Sequence, residues 1–335
     1  MNELIHDISY ANMRDMLDDC IIDVQERSDN MGVPRISSGF QPLDNLIGGF
    51  ENGRVYVVGG RPCMGREDFL LSIIIDIIVE SKQPVLLFST NHLKSDYIQR
   101  LLAIHCEIPS QHLYQGSLDS NEWKRVDERV LPFAGAPLYI HDCLDLPLNE
   151  LIETARNCIR KREIKIIFID CLQMIDFAKE DDNPSKRIAK IMLSLKQLAC
   201  LSDVPIVVGS MLSRGIERRQ GFEGKQPRLI DLANSSYIEE LADVIMMVHR
   251  PEYYHIYRDA NGRDLRGQIE IIVKKNALKP LGHIILDYHQ ETGIIRLKKN
   301  TGKSVSGSGN LKDLSDDRSF KSMTEVSTYE DELPF

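Results

Sequence analysis

The sequence predicts an α/β fold built on a twisted, mostly parallel sheet flanked by helices. Three observations carry that expectation. From residue 36 onward, apolar strand-like runs alternate with helical periodicity. Several of those runs (Ile164 to Ile169 apart from Lys165, Pro205 to Val208, Val244 to Val248) are apolar rather than alternating, as strands covered on both faces must be. Between the first strand and the first long helix lies the glycine turn Gly60-Arg61-Pro62-Cys63-Met64-Gly65-Arg66-Glu67, which has the layout of a phosphate-binding loop.

Residues 3–27 read as an amphipathic helix, with Met13, Leu17, Ile21 and Val24 recurring every three or four positions. Gly32-Val33-Pro34 ends it. A helix cut off by such a breaker packs either on its own domain or on a neighbouring subunit. Strands are expected at 55–59, 85–89, 138–141, 165–170, 205–209 and 243–248. Helices are expected at 65–81, 95–106, 148–162 and 184–202. Gln268 to Val273 and His283 to Asp287 read as an antiparallel pair that closes the sheet. After about Lys299 the chain turns to Ser, Gly, Asp and Lys, the composition of a disordered tail. The expected segments are a linker helix in 1–35, an α/β domain over 36–299 and an acidic tail over 300–335.

A chain of 335 residues, 42% hydrophobic, holds one large α/β domain with extensions. No apolar run reaches the roughly 18 to 20 residues that span a bilayer, and Met1-Asn2-Glu3 does not open a secretion signal. The seven cysteines are scattered without a C-x-x-C pair, which points to reduced thiols in a cytoplasmic protein and away from zinc. A net charge of −9 excludes a generally basic nucleic-acid binder but leaves room for a local basic loop.

A phosphate-binding loop reads G-x-x-x-x-G-K-[ST] between a buried strand and a helix. Gly60 and Gly65 keep that spacing, with apolar Val55 to Val58 before them and Phe69 to Val79 after. The lysine position holds Arg66 and the hydroxyl position Glu67. The nucleotide-binding candidates are thus Gly60, Arg61, Pro62, Cys63, Met64, Gly65, Arg66 and Glu67. Downstream, Lys165-Ile166-Ile167-Phe168-Ile169-Asp170 is an apolar strand ending in a carboxylate, of the kind that orients Mg²⁺ beside such a loop. Asp170 is therefore both a nucleotide-site and a metal candidate.

With Cys171-Leu172-Gln173-Met174 next, the pattern becomes specific. The chain resembles the ATPase domain of bacterial replicative DNA helicases, the DnaB family with its RecA-like core. Further matching segments are Ser38-Gly39-Phe40-Gln41-Pro42-Leu43-Asp44, Arg61 to Gly65, Phe88-Ser89, Leu212-Ser213-Arg214, Ile238 to Val244 and His249 to Tyr254, in order over residues 36–297. The resemblance implies a RecA-like P-loop NTPase fold, ATP and Mg²⁺ as ligands and single-stranded DNA as a partner. It also implies that the family's N-terminal helical domain is missing. Residues 3–27 would then be the linker helix that docks on the adjacent subunit of a ring.

The departures concern the hydrolysis positions. Arg66 keeps the charge of the lysine that contacts the outer phosphates, but its planar guanidinium does not replace a compact ammonium. Glu67 replaces the Thr or Ser whose oxygen binds Mg²⁺. Two unit charges about 4 Å apart interact by about 4 kcal/mol at an effective dielectric near 20. That is about half of the roughly 8 kcal/mol in a micromolar affinity. Glu67 either repels phosphates in this way, ligates the metal itself or pairs with Arg66. The family's general base, a glutamate in a Phe-Ser-Leu-Glu context, is Asn91 in Phe88-Ser89-Thr90-Asn91. An amide cannot accept the proton of attacking water, and losing a positioned base costs about 10²- to 10⁴-fold. Met211 stands where the family has the glutamine that senses the γ-phosphate. The region of the trans-acting arginine reads Lys275 to Pro280, with Lys275 or Lys279 as the substitute.

The family's DNA-contacting Leu-Arg-Glu-Ser-Gly segment is Leu232-Ala233-Asn234-Ser235-Ser236 here, without its arginine. Arg214, Arg218, Arg219, Lys225 and Arg228 form a basic loop that either reaches DNA phosphates or is simply solvated. The terminus Glu330-Asp331-Glu332-Leu333-Pro334-Phe335 resembles the C-terminal tip of bacterial single-stranded-DNA-binding proteins. It reads as a docking peptide for replication proteins, against the plain alternative of an acidic solubilising tail. His92 and His141 read as ordinary packed or surface histidines, Trp123 as a packing anchor in a short helical turn, and Glu180-Asp181-Asp182 as a solvated loop.

These readings combine into a DnaB-like protein of DNA replication or repair whose ATPase site has degenerated. It would form a ring or associate with a replicative helicase. The alternatives are an active ATP-dependent 5′-to-3′ helicase and an adaptor that recruits replication proteins through its tail.

Overall fold

Runs rich in Val, Ile, Leu and Phe form the strands β1 (Val55–Gly60), β2 (Val85–Ser89), β3 (Leu138–Asp142), β4 (Ile166–Ile169), β5 (Ile206–Met211) and β6 (Val244–His249). Three more follow: β7 (Gln268–Asn276), β8 (Gly282–His289) and β9 (Ile294–Leu297). The helices are α1 (Met13–Asp29), α2 (Gln41–Ile47), α3 (Arg66–Val79), α4 (Lys94–Cys106) and α5 (Ser110–Gln115). Then come α6 (Ser120–Ala134), α7 (Leu148–Arg162), α8 (Pro184–Ser202), α9 (Gly221–Lys225) and α10 (Ser235–Leu241). This computed structural model describes residues 12–29, 36–176, 183–233, 235–259, 261–277 and 280–298.

One sheet runs in the order β3-β2-β4-β5-β1-β6-β7-β8-β9. The pairs among β3, β2, β4, β5, β1 and β6 are all parallel, with β1 in the middle and Val57 level with both Val208 and Ile245. Strands β1, β2, β4 and β6, apolar but for Ser89 and His249 at their ends, are buried along their whole length. That is the packing expected of a parallel sheet covered on both faces. One face carries α2, α3 and α4 through Leu43, Phe69, Ile73, Ile77 and Leu101. The other carries α7, α8 and α10 through Leu151, Ile191, Leu195 and Ile238. The closing antiparallel pair is one member of a larger set, because β7 also pairs antiparallel with β6, and β9 with β8.

Trp123 corrects the sequence reading. It lies in the fifteen-residue α6 rather than a short turn, and it is 53% exposed instead of anchoring a core. A capping box starts this helix: the Asp119 carboxylate accepts from the amides of Asn121 and Glu122, and the Glu122 carboxylate accepts from the Asp119 amide. In α1, Met13, Leu17, Ile21 and Val24 are exposed, and residues 3–11 lie outside the described residues. Among the described residues, no helix is long and apolar enough to cross a membrane. The tail residues Glu330 to Phe335 also lie outside them.

Candidate nucleotide site

The parallel strands bring their C-terminal ends together, so the turns after β1, β2, β4 and β5 share one edge of the sheet. The glycine loop leaves β1 there. Gly65, in the left-handed region at φ 85°, turns the chain into the first residue of α3. Arg61 ties the loop down: its guanidinium donates to Glu217 Oε1 at 2.5 and 2.9 Å and to the Leu212 carbonyl at 2.9 Å. Met64 is buried, while Pro62 and Cys63 face solvent.

Arg66 does not project into solvent; it is 7% exposed. Its stem lies against Gly60, where a Cβ would come within 2.8 Å of Arg66 Cβ. Its Nε lies 3.4 Å from where a Cβ on Gly209 of β5 would stand. Two glycines thus make the slot that holds the side chain. Nη2 donates to Glu67 Oε1 at 3.3 Å, whereas Nε is buried without a hydrogen-bond partner.

Glu67 is the centre of a charge cluster. Arg100 of α4 donates through Nη1 to Glu67 Oε2 at 2.5 Å and through Nη2 to Asp68 Oδ1 at 2.7 Å. His92 Nε2 lies 3.3 Å from Glu67 Oε2, and the Tyr288 hydroxyl of β8 donates to Asp68 Oδ2 at 2.7 Å. Burial pushes the Glu67 carboxyl up, but His92, Arg100 and Arg66 outweigh it and hold it well below the usual carboxylate range. The hydrogen bond to Glu67 raises the His92 pKa. His92 therefore belongs to the site and is not the ordinary packed histidine the sequence suggested.

Asp170 stands at the end of β4, 2% exposed. Its Oδ1 accepts from the Thr90 amide at 2.9 Å and the Thr90 hydroxyl at 2.6 Å. Its Oδ2 accepts from the Asn91 amide at 3.2 Å and the Tyr97 hydroxyl at 3.0 Å. Asn91 is thus at this edge as expected, with its side-chain nitrogen 3.3 Å from the His92 ring. Met211 ends β5, and its amide donates to Gln173 Oε1 at 2.9 Å; Gln173 Nε2 in turn reaches Ser210 Oγ at 2.9 Å. The polar side chain at that level is therefore Gln173, from the Ile169-to-Met174 segment.

The basic loop divides. Arg214, Arg218 and Arg228 are exposed, whereas Arg219 pairs with Asp231 at 2.5 Å and Lys225 donates to the Glu217 carbonyl at 2.8 Å. Lys275 is committed elsewhere: its ammonium caps α10 by donating to the carbonyls of Glu239, Glu240 and Ala242. Lys279 lies outside the described residues.

Sequence reasoning missed Arg100, Asp68, Tyr97 and Tyr288. A signal was available for the first of these: Arg100 interrupts the helical stripe of Tyr97, Leu101 and Ile104, and a charge on an apolar stripe needs a buried partner. As they stand, these residues do not fit an Mg²⁺-nucleotide. The group in the hydroxyl position is a carboxylate held by cations, Asp170 already accepts four hydrogen bonds, and a guanidinium fills the slot beneath the loop.

Residues 35–296 match the family described as DnaB-like helicase C-terminal domain. Replicative DNA helicase DnaC of Bacillus subtilis is 27% identical over 285 residues, 84% of this chain and 61% of that protein. Replicative DNA helicase DnaB of Leifsonia xyli is 30% identical over 249 residues, 74% of this chain and 52% of that protein. The chain spans about three fifths or less of the curated relatives it matches. A solved ATPase domain superposes with a TM-score of 0.75 at 26% identity, over 84% of this chain and 99% of that one. The structure of a DnaB-like replicative helicase, described with its interactions with primase, gives 0.73 at 25% identity over 86% and 67%.

Proposed function

This chain belongs to the DnaB-like helicase C-terminal domain family, and from that premise we propose that it is a replication protein whose ATPase site does not turn over. It acts as a ring-forming or helicase-associated accessory factor. One observation carries this reading: the carboxylate of Glu67, in the residue position where the resemblance expects a metal-binding hydroxyl, is held by Arg66, Arg100 and His92. Asn91 in the base position and Met211 in the sensor position support it. What nucleotide binding remains is weak and rests on the backbone amides of residues 61–67. Contact with single-stranded DNA rests on the exposed Arg214, Arg218 and Arg228. Assembly with a neighbouring subunit rests on the exposed apolar residues of α1. The tail's Leu333, Pro334 and Phe335 serve capture of replication proteins.

Sedimentation of the full chain, alone and with a DnaB-type helicase, tests the accessory role. The expected result is assembly without nucleotide hydrolysis, lost when residues 3–27 are deleted. A chain that stays monomeric and ignores the helicase sinks the accessory reading. Mg²⁺-dependent hydrolysis stimulated by single-stranded DNA would instead favour a working helicase.

A further inference from the structure

The positive end of a helix with a glycine loop before it attracts an anion. In this chain the first turn of α3 already contains two, Glu67 and Asp68. They are not loosely solvated. Arg100 forks across both, at 2.5 Å to Glu67 and 2.7 Å to Asp68, which ties α3 to α4. Tyr288 joins Asp68 to β8, and His92 joins Glu67 to the turn after β2. Arg66 reaches Glu67 from beneath the loop. Neutralising these cations and linking these elements are tasks that a bound polyphosphate performs in a working phosphate-binding loop.

We infer that Glu67 is the resident anion of this loop: its carboxylate neutralises Arg66 and Arg100, binds the His92 ring, fastens α3 to its neighbours and repels phosphoanions. The inference deepens the proposed loss of turnover and rests on it. Two physical consequences follow. The natural chain does not depend on nucleotide to hold this edge of the sheet together. Removing only the charge of Glu67 leaves Arg66 without its carboxylate and Arg100 with Asp68 alone, and so uncovers a site for a phosphoanion.

Thermal unfolding of the full chain and of Glu67→Gln, each with and without inorganic pyrophosphate in the absence of metal, tests this. The natural chain is expected to melt at the same temperature with and without pyrophosphate. The variant is expected to melt about 5 °C lower and to recover most of that loss in millimolar pyrophosphate. Calorimetric titration should then show pyrophosphate binding to the variant alone. Arg100→Gln provides the control for simple damage: it lowers the melting temperature but gains no pyrophosphate response, because a cation has been removed. If Glu67→Gln does not fold, Arg100→Gln decides alone, and a variant melting with the natural chain overturns the inference. So does stabilisation of the natural chain by pyrophosphate, or a Glu67→Gln protein that neither loses stability nor responds. Phosphate release from ATP is a separate readout: turnover would contradict the functional reading, whereas the pyrophosphate arms decide the role of Glu67.

Discussion

Asp170 at the end of β4 and Glu67 in the first turn of α3 face the same edge of the sheet, yet they are satisfied by different chemistry. Asp170 accepts four hydrogen bonds from neutral donors, all from the short stretch Thr90 to Tyr97. Glu67 is held by two guanidiniums, Arg66 and Arg100, and by the His92 ring. Both carboxylates reach the turn after β2 and α4, but the first is shielded among neutral donors, whereas the second is half-buried among charged ones. Neutral donors around a buried carboxylate respond little to salt, whereas partly exposed ion pairs weaken as salt screens them. On the proposed reading, Asp170 is the strand-end carboxylate of the site and Glu67 the internal counter-charge of the loop beside it.

The largest expected effect is that of Asp170→Ala, which leaves four donors at a buried position without their acceptor. It should cost about 4 kcal/mol in urea denaturation, with little dependence on salt. A cost below about 1 kcal/mol would show that the four hydrogen bonds are not a unit. Glu67→Gln comes next, at about 2 kcal/mol in dilute buffer and visibly less in molar salt. Equal salt dependence of the two variants would break the comparison between the carboxylates. Tyr97→Phe removes one donor to Asp170 and should cost about 1 kcal/mol by the same measurement.

The smallest effect, and the one with the sharpest signature, is that of His92→Asn. His92 is raised above its ordinary value of 6.5, first by its hydrogen bond to Glu67, against burial and Arg100 and with help from Asp170. Its contribution is therefore complete below pH 6.5 and lost as pH rises through the raised value. Glu67, held below its ordinary 4.5, has the opposite sign: its contribution is present above that value and lost as pH falls through the lowered one. The natural chain should thus lose a fraction of about 1 kcal/mol between neutral and alkaline pH, and His92→Asn should not. Denaturation midpoints measured across that interval decide it; parallel curves would remove His92 from the cluster.

The sheet was legible because burial on both faces writes itself into sequence as unbroken apolar strands such as Ile166–Ile169. The loop was legible because Gly65 must take a left-handed φ and Gly60 leaves no room for a Cβ beside Arg66, at fixed spacing. Pairing of Arg66 with Glu67 was among the sequence-level alternatives, and the 3.3 Å contact realises it. Arg100 and Tyr288 were not found, since they lie 33 and 221 residues from Glu67 and only the tertiary fold brings them near. Lys275 reads in sequence as a substitute for the trans-acting arginine, with Lys279 as the other candidate, because sequence does not reveal that the α10 carbonyls claim it. Trp123 was misread because an aromatic residue carries the same apolar signal in a core and on the exposed face of α6.

The most direct measurement is steady-state phosphate release from ATP by the full chain with Mg²⁺ and single-stranded DNA. The triple variant Arg66→Lys/Glu67→Thr/Asn91→Glu should be run beside it. A loop neutralised by its own glutamate predicts release at the buffer background for the natural chain. Mg²⁺-dependent release from the natural chain, stimulated by DNA, would contradict it and make Arg66 and Glu67 parts of a working site.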